Sequence, residues 1–315
     1  MDLPKLYIVI PCYNEEEVLP TSIELFTQKI DKLIKNNAVA NDSKILFVND
    51  GSKDKTWEMI KEASSKYSNC EGISLSRNRG HQNALLAGLM EAKDKCDITI
   101  SIDCDGQDDI DAMDEMIKEY KNGSDIVYGV RNNRDTDSFF KRFTATTYYK
   151  LLKSLGADIV YNHADYRLVS SKVLNEFSKF EEVNIFLRGM FPLVGFKSTC
   201  VYYKREKRIA GQTHYPLSKM LKLAWDGITS LTIKPIKIIT TLGILISIFS
   251  FAMIIWVLIS FFNSQTVPGW STQVICTCLI GGIQLVSLGI IGEYVGKIYL
   301  ETKKRPRYII SERTK

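Results

Sequence analysis

From Ile238 to Gly292 the chain contains no Asp, Glu, Lys, Arg or His. At about 1.5 Å per residue, Ile238 to Phe262 reaches roughly 37 Å and Ser271 to Ile291 roughly 31 Å, each enough to cross a hydrocarbon core of about 30 Å. Two membrane spans are therefore expected, joined by a turn from Asn263 to Trp270 that holds Pro268 and Gly269. The turn lacks Lys and Arg, whereas Lys234 and Lys237 precede the first span and Lys297, Lys303, Lys304, Arg305 and Arg307 follow the second. Positive charge marks the cytoplasmic side, so both ends are expected there, in a cell membrane crossed twice. Ahead of the spans, Tyr215 to Ile233 sets Leu217, Met220, Leu221, Leu223, Ala224, Trp225 and Ile228 against Lys219, Lys222 and Asp226, the pattern of a helix lying in the membrane interface.

The first half follows a different rule, with short apolar runs that each stop at a polar cluster and are followed by residues at helical spacing. Leu6 to Ile10 ends in Pro11-Cys-Tyr-Asn-Glu15, Lys44 to Asn49 in Asp50-Gly-Ser-Lys-Asp54, and Gly72 to Ser76 in Arg77-Asn-Arg-Gly80. Ile98 to Ile102 ends in Asp103-Cys-Asp-Gly-Gln-Asp-Asp109, and Asp125 to Val130 ends at Arg131. Helices are expected over Glu15–Lys35, Thr56–Tyr67, His81–Lys93, Asp111–Lys121 and Ser138–Leu155, with a further strand at Thr199–Tyr203. This alternation predicts an α/β fold with a doubly wound, mostly parallel sheet. The polar clusters then fall on one edge, where open sheets of this kind bind ligands.

Two carboxylates about 4 Å apart repel by on the order of 4 kcal/mol at an effective dielectric near 20, so Asp103 and Asp105 at one strand end favour a divalent cation, Mg2+ or Mn2+ by their oxygen ligands. A solvated acidic turn opening the next helix is the plainer alternative. Asp165 and Arg167, in Asn162-His-Ala-Asp-Tyr-Arg-Leu168, offer either chemistry or a salt-bridged loop, and Lys204-Arg-Glu-Lys-Arg208 either an anion site or a solvated face. His81, His163 and His214 are isolated and read as structural.

Several classes drop out. Neither G-x-G-x-x-G after the first strand nor G-x-x-x-x-G-K-[ST] occurs, which removes dinucleotide redox and P-loop chemistry. The seven cysteines are scattered without C-x-x-C pairing, which fits a reducing compartment without disulfides or zinc. A net charge of +5, concentrated near the apolar segments, is no nucleic-acid signature.

These residues carry a resemblance. The runs Val9 to Glu15, Val48 to Asp54, Ser76 to Gly80, Asp103 to Asp108 and Ala164 to Leu168, then Arg205-x-x-Arg208 leading to Gly211-x-Thr213, stand in an order similar to that of the polyprenyl-phosphate glycosyltransferases of glycosyltransferase family 2, the bactoprenol type with two C-terminal spans. The resemblance implies a GT-A catalytic domain over 1–212, an amphipathic segment over 213–235, a two-span hairpin over 236–298 and a basic cytoplasmic tail over 299–315. It implies inverting transfer from a nucleotide sugar, UDP-glucose or a UDP-N-acetylhexosamine, to undecaprenyl phosphate, with assembly of copies through the interfacial and membrane helices.

By the same resemblance, Pro11, Tyr13, Asn14, Glu15, Asp50, Arg77, Asp103, Cys104 and Gln107 would hold the nucleotide sugar. Asp103 and Asp105 would ligate the metal, Asp165 and Asp103 would serve catalysis, and Arg167, Arg205, Arg208 and Thr213 would hold the lipid phosphate. The chain departs from the family pattern at Gly106, at Asp109-Ile110 and at His214. Two other readings stand beside this one: a membrane glycosyltransferase acting on a glycan or a diacylglycerol, and a non-catalytic scaffold that binds nucleotide sugars.

Overall fold

A computed structural model of the chain describes residues 3–132, 163–204, 234–262 and 269–314. It divides into one unit of residues 1–224 with 305–315 and a second of residues 225–304. The expected helix at Ser138–Leu155 and most of the amphipathic segment lie outside the described residues, as do Arg205, Arg208 and Thr213.

The first unit is built on an eight-stranded sheet of order β7-β5-β6-β4-β1-β2-β3-β8. Its strands are β1 (Leu6–Cys12), β2 (Lys44–Asn49), β3 (Cys70–Leu75), β4 (Ile98–Ser101), β5 (Ile126–Arg131), β6 (His163–Ser170), β7 (Ser198–Tyr203) and β8 (Ile310–Arg313). β1 pairs in parallel with β2 on one side and β4 on the other, and β2 with β3. The direction of winding thus reverses between β1 and β4, and the carboxyl ends of those two strands flank the crevice.

Helices cover both faces. On one lie α1 (Leu19–Lys35), α2 (Thr56–Lys66) and α4 (Ala112–Lys121), whose Phe26, Ile30, Ile60, Met113 and Met116 pack on Ile8, Ile10, Phe47, Ile98 and Ile100. On the other lie α3 (His81–Ala92), α5 (Ser171–Phe177) and the single turn α6 (Leu187–Met190), with Leu85, Leu89, Val173, Phe177 and Leu187 against Val9, Leu46, Val48 and Val169. Successive strand residues point to opposite faces, so runs that are apolar throughout, such as Leu6 to Ile10, serve both cores at once.

Two features differ from expectation. The stretch around Asp165, for which a salt-bridged loop was one of two readings, is β6, a strand running antiparallel between β4 and β5. Its Asp165 and Arg167 share a face and pair with each other at 2.5 Å, which lets a charged strand sit in the interior. The end of the chain, expected as a free tail, supplies β8 along β3. There Trp57 Nε1 donates to Glu312 at 2.7 Å, Gly72 N donates to Thr314 Oγ1 at 2.8 Å, and Arg313 grips Glu91 with two bonds of 3.2 and 3.0 Å.

The second unit contains α7 (Lys234–Phe262) and α8 (Trp270–Lys303), of 29 and 34 residues. Their surfaces are apolar, with Ile248, Phe249, Phe251, Leu285, Val286 and Leu288 exposed. Among the described residues one segment, Leu279–Lys303, is long and apolar enough to cross a membrane, and Pro235–Ile246 is a shorter apolar stretch.

Candidate active site

The crevice is assembled from loops that are stitched to one another. After β1, Asn14 turns at φ 53° and its amide oxygen accepts from Lys53 N at 2.9 Å, while Asn14 N donates to Ser52 Oγ at 3.0 Å and Glu15 N to Thr56 Oγ1 at 2.9 Å. Asn14 therefore joins the loops after β1 and β2, leaving Tyr13, 43% exposed, and Glu15 to face the crevice edge. Pro11 is buried at the end of β1, and Arg77 is exposed beyond β3.

Asp50 is 2% exposed. Its two carboxylate oxygens accept from Arg79 N at 2.7 Å and Gly80 N at 2.9 Å, so burial raises its pKa and those amides partly offset the rise. Both oxygens thereby shape the Arg77–Gly80 loop. Gly51, at φ 63°, lies against that loop so closely that a Cβ would stand 2.4 Å from the Arg77 carbonyl carbon. Cys104 follows Asp103 on the loop after β4. Its thiol is 3% exposed within the core, and its carbonyl accepts from Ser22 Oγ at 2.6 Å.

The loop after β4 carries Asp103, Asp105 and Gln107. Asp105 accepts from Gln107 N at 3.1 Å, which closes a tight turn. Asp108 anchors the loop from below, accepting from Tyr203 Oη at 2.7 Å and Arg131 Nη2 at 3.0 Å. Asp103 stays partly exposed, and its pKa is raised because burial and the nearby carboxylates of Asp108, Asp165 and Asp105 outweigh the attraction of His81. A carboxylate crowded by carboxylates is relieved by a cation. No group of three or more His, Cys, Asp or Glu side chains able to hold a metal occurs among the described residues, and Asp103 and Asp105 together would supply two carboxylates. One or two carboxylates completed by substrate phosphates and water is the usual way Mg2+ is held, so the donor set fits.

Asp165 has a different environment. Its Oδ1 accepts from Arg167 Nη2 at 2.5 Å and Arg188 Nε at 3.1 Å, its Oδ2 accepts from Arg188 Nη2 at 2.9 Å, and His81 Nε2 lies 3.3 Å away. Burial alone would push its pKa up, yet Arg188, His81 and Arg167 hold it well below the usual carboxylate range. His81 also lies 3.7 Å from Asp103 and links the two carboxylates; these partners raise its pKa against the effect of burial. Arg167 is fully buried, with its guanidinium 4.8 Å over the Phe191 ring. Its assignment to a lipid phosphate is therefore corrected: it underpins Asp165 from within the core and does not reach the crevice.

His81 and Arg188 contact these carboxylates and were not selected by sequence reasoning. His81 starts α3 directly after the Arg77–Gly80 cluster, a signal that could have found it; Arg188, in a short apolar stretch, has none.

A mostly parallel sheet whose winding reverses at an acid-lined crevice defines a GT-A-like α/β domain. The family described as Glycosyl transferase family 2 matches residues 7–178, and the chain belongs to that family. An uncharacterized glycosyltransferase of Bacillus subtilis, YkoT, is 47% identical over 98% of this chain and 91% of its own. A prophage bactoprenol glucosyl transferase homolog of Escherichia coli is 35% identical over 97% of this chain and 98% of its own. Among solved structures, a glucosyl-3-phosphoglycerate synthase of Mycobacterium tuberculosis, in complex with Mn2+, UDP-glucose and phosphoglyceric acid, aligns with 72% of this chain and 78% of its own at 16% identity and a TM-score of 0.48. That last likeness adds nothing to the family assignment.

Proposed function

We propose that this protein transfers a sugar, with inversion, from UDP-glucose or a UDP-N-acetylhexosamine to undecaprenyl phosphate, making a glycosyl-phosphoryl-polyprenol at the cytoplasmic face of the membrane. The observation that carries this reading is the extent of the match to the bactoprenol glucosyl transferase homolog, which covers 97% of this chain and so takes in the crevice and the C-terminal helices together.

In this mechanism a phosphate oxygen of the acceptor attacks the anomeric carbon as the bond from that carbon to the nucleotide diphosphate breaks on the opposite face. Asp103 and Asp105 would hold a divalent cation, Mg2+ or Mn2+, which would supply positive charge for the departing diphosphate. The acceptor phosphate is already ionised near neutral pH, so it needs orientation more than deprotonation. Tyr13, Glu15, Arg77 and Gln107 are proposed for the nucleotide sugar, and Arg205, Arg208 and Thr213 for the lipid phosphate.

Connectivity supports two spans. β7 precedes α7, β8 follows α8, and both strands belong to one sheet. The chain thus leaves and returns on one side of any bilayer it enters, which requires an even number of crossings. One span is Leu279–Lys303, and the apolar α7 is proposed as the other.

The test is incubation of the purified protein with a panel of UDP-sugars, Mg2+ or Mn2+, and undecaprenyl phosphate, with mass spectrometry of the lipid. A lipid-linked hexose released together with UDP is expected. No product from any donor rejects the assignment.

A further inference from the structure

Burial alternates along the turn after β4. Cys104 and Asp108 are buried, whereas Asp103, Asp105 and Gln107 are partly exposed. Cys104 is fixed by its carbonyl, which accepts from Ser22 Oγ of α1 at 2.6 Å, and by a side chain sunk in the core. With the near end pinned there, the presentation of the two carboxylates depends on what holds the far end at Asp108. Asp103 and Asp105 repel each other, so a turn loose at that end would let them spread.

Asp108 is 4% exposed, and a carboxylate is stable in an interior only where its charge is met. It is met by the last residues of two strands, Arg131 of β5 and Tyr203 of β7, which stand opposite each other in the sheet. Arg131 Nη2 donates to Asp108 Oδ1 at 3.0 Å and Tyr203 Oη donates to the same oxygen at 2.7 Å, while Arg131 Nε donates to Tyr203 Oη at 3.2 Å. Burial and the charge of Asp108 raise the pKa of the Tyr203 phenol, so it remains a donor near neutral pH. Its ring stands edge-on to Tyr166 of β6, with centroids 5.2 Å apart, and Tyr166 Oη donates to Asp109 O at 3.1 Å. The end of the turn is thereby tied to three strands.

We propose that Tyr203 is a positioning residue of the Asp103–Asp105 turn, acting through Asp108 to fix where the two carboxylates stand. At 3% exposure its side chain meets the turn and not a ligand. A pair of carboxylates already held in place binds a cation more tightly than a pair that must first be ordered. The inference rests on the proposed function only in that this turn takes a divalent cation.

The test compares two matched substitutions in the full-length protein in detergent. Tyr203→Phe removes the phenol oxygen that holds Asp108. Tyr7→Phe removes another phenol of a residue 3% exposed, one that donates to Glu71 at 3.5 Å and belongs to the core on the other face of the sheet. Amide exchange is read on the peptide of residues 103–111 without metal, and Mn2+ uptake by the paramagnetic resonance of the free ion with UDP present.

Tyr203→Phe should speed exchange across that peptide and weaken Mn2+ binding about 10-fold, the low end of the loss when an outer partner of a metal ligand is removed. Turnover should recover as Mn2+ is raised. Tyr7→Phe should match the wild type in both readouts. Arg131→Lys, which keeps the charge but loses the Nε contact to Tyr203, serves as the second variant with the same expected direction. Equal Mn2+ affinity in wild type and Tyr203→Phe overturns the proposal and leaves the cation assignment standing. An equal loss in Tyr203→Phe and Tyr7→Phe also overturns it, as a general effect of lowered stability. Wild-type protein that takes up no Mn2+ sinks the cation assignment instead, and exchange of residues 103–111 then decides whether Tyr203 holds the turn.

Discussion

Asp103 and Asp165 are both linked to His81, at 3.7 and 3.3 Å, yet their surroundings push them in opposite directions. Asp165 is enclosed by two guanidiniums and a histidine and is held anionic. Asp103 has burial and three carboxylates working against its charge, and its pKa is raised. The difference lies in what each site lacks. The cage around Asp165 is satisfied by the protein's own cations, whereas the loop around Asp103 is short of positive charge, which is what the proposed cation would supply.

That contrast can be broken most directly at the metal ligands. Asp105→Asn is expected to lower turnover on the order of 10²–10³-fold in saturating Mg2+ or Mn2+, measured as lipid product formed. Activity near wild type would show that the carboxylates at the end of β4 hold no cation.

Asp165→Asn tests the cage as structure. It leaves Arg167 buried beside a neutral amide, a loss of about 3–5 kcal/mol, or a drop in melting temperature of roughly 10 °C in a domain of this size. Because the folded pKa of Asp165 is depressed, its contribution is present above the unfolded value near 3.9 and is lost only as pH falls through the folded value. The carboxylate's own contribution therefore does not change from pH 8 to pH 5, while the part carried by His81, whose pKa Asp165 raises, is fully present below the unfolded value near 6.5 and is lost as pH rises through the folded value. The gap between wild type and variant should thus widen as pH falls from 8 towards 6, and a gap that closes in that direction would contradict a carboxylate held anionic.

Asp103→Asn should act in the opposite sense. A raised pKa means that the folded state binds its proton more readily than the unfolded state, so stability declines as pH rises through the folded value. Removing the charge should leave the metal-free melting temperature at pH 7.5 unchanged or a few degrees higher, while activity falls. A clear loss of stability would place Asp103 in the same class as Asp165.

The smallest effect is expected at the edge of the sheet, where Arg313 and Glu91 form an ion pair with the arginine 55% exposed. Arg313→Ala should cost less than about 1 kcal/mol, within about 2 °C by thermal denaturation. A loss as large as that of Asp165→Asn would remove the distinction between a buried cage and an exposed clamp.

Much of the scaffold was legible before any coordinates. The strands at Leu6, Lys44 and Ile98 and the helices from Thr56 and His81 follow from local hydropathy and its period, because each element meets the core through its own residues. The polar ends of those strands converge because parallel strands joined by helices bring their carboxyl ends to one edge. The charge-free stretch from Ile238 to Gly292 likewise sets its own solvent, since nothing in it can neutralise or be neutralised at a distance.

Only the tertiary structure decided that the Asp165 stretch is an interior strand, that the last residues close the edge of the sheet along β3, and that Asp50 shapes a loop. A strand with a charge at every second position reads as a loop until its partners are known, and those partners, His81 and Arg188, lie far from Asp165 along the chain. Hydropathy is a property of a segment. Charge compensation is a property of segments brought together, and here it separates a carboxylate enclosed by the protein's own cations from one left short of positive charge.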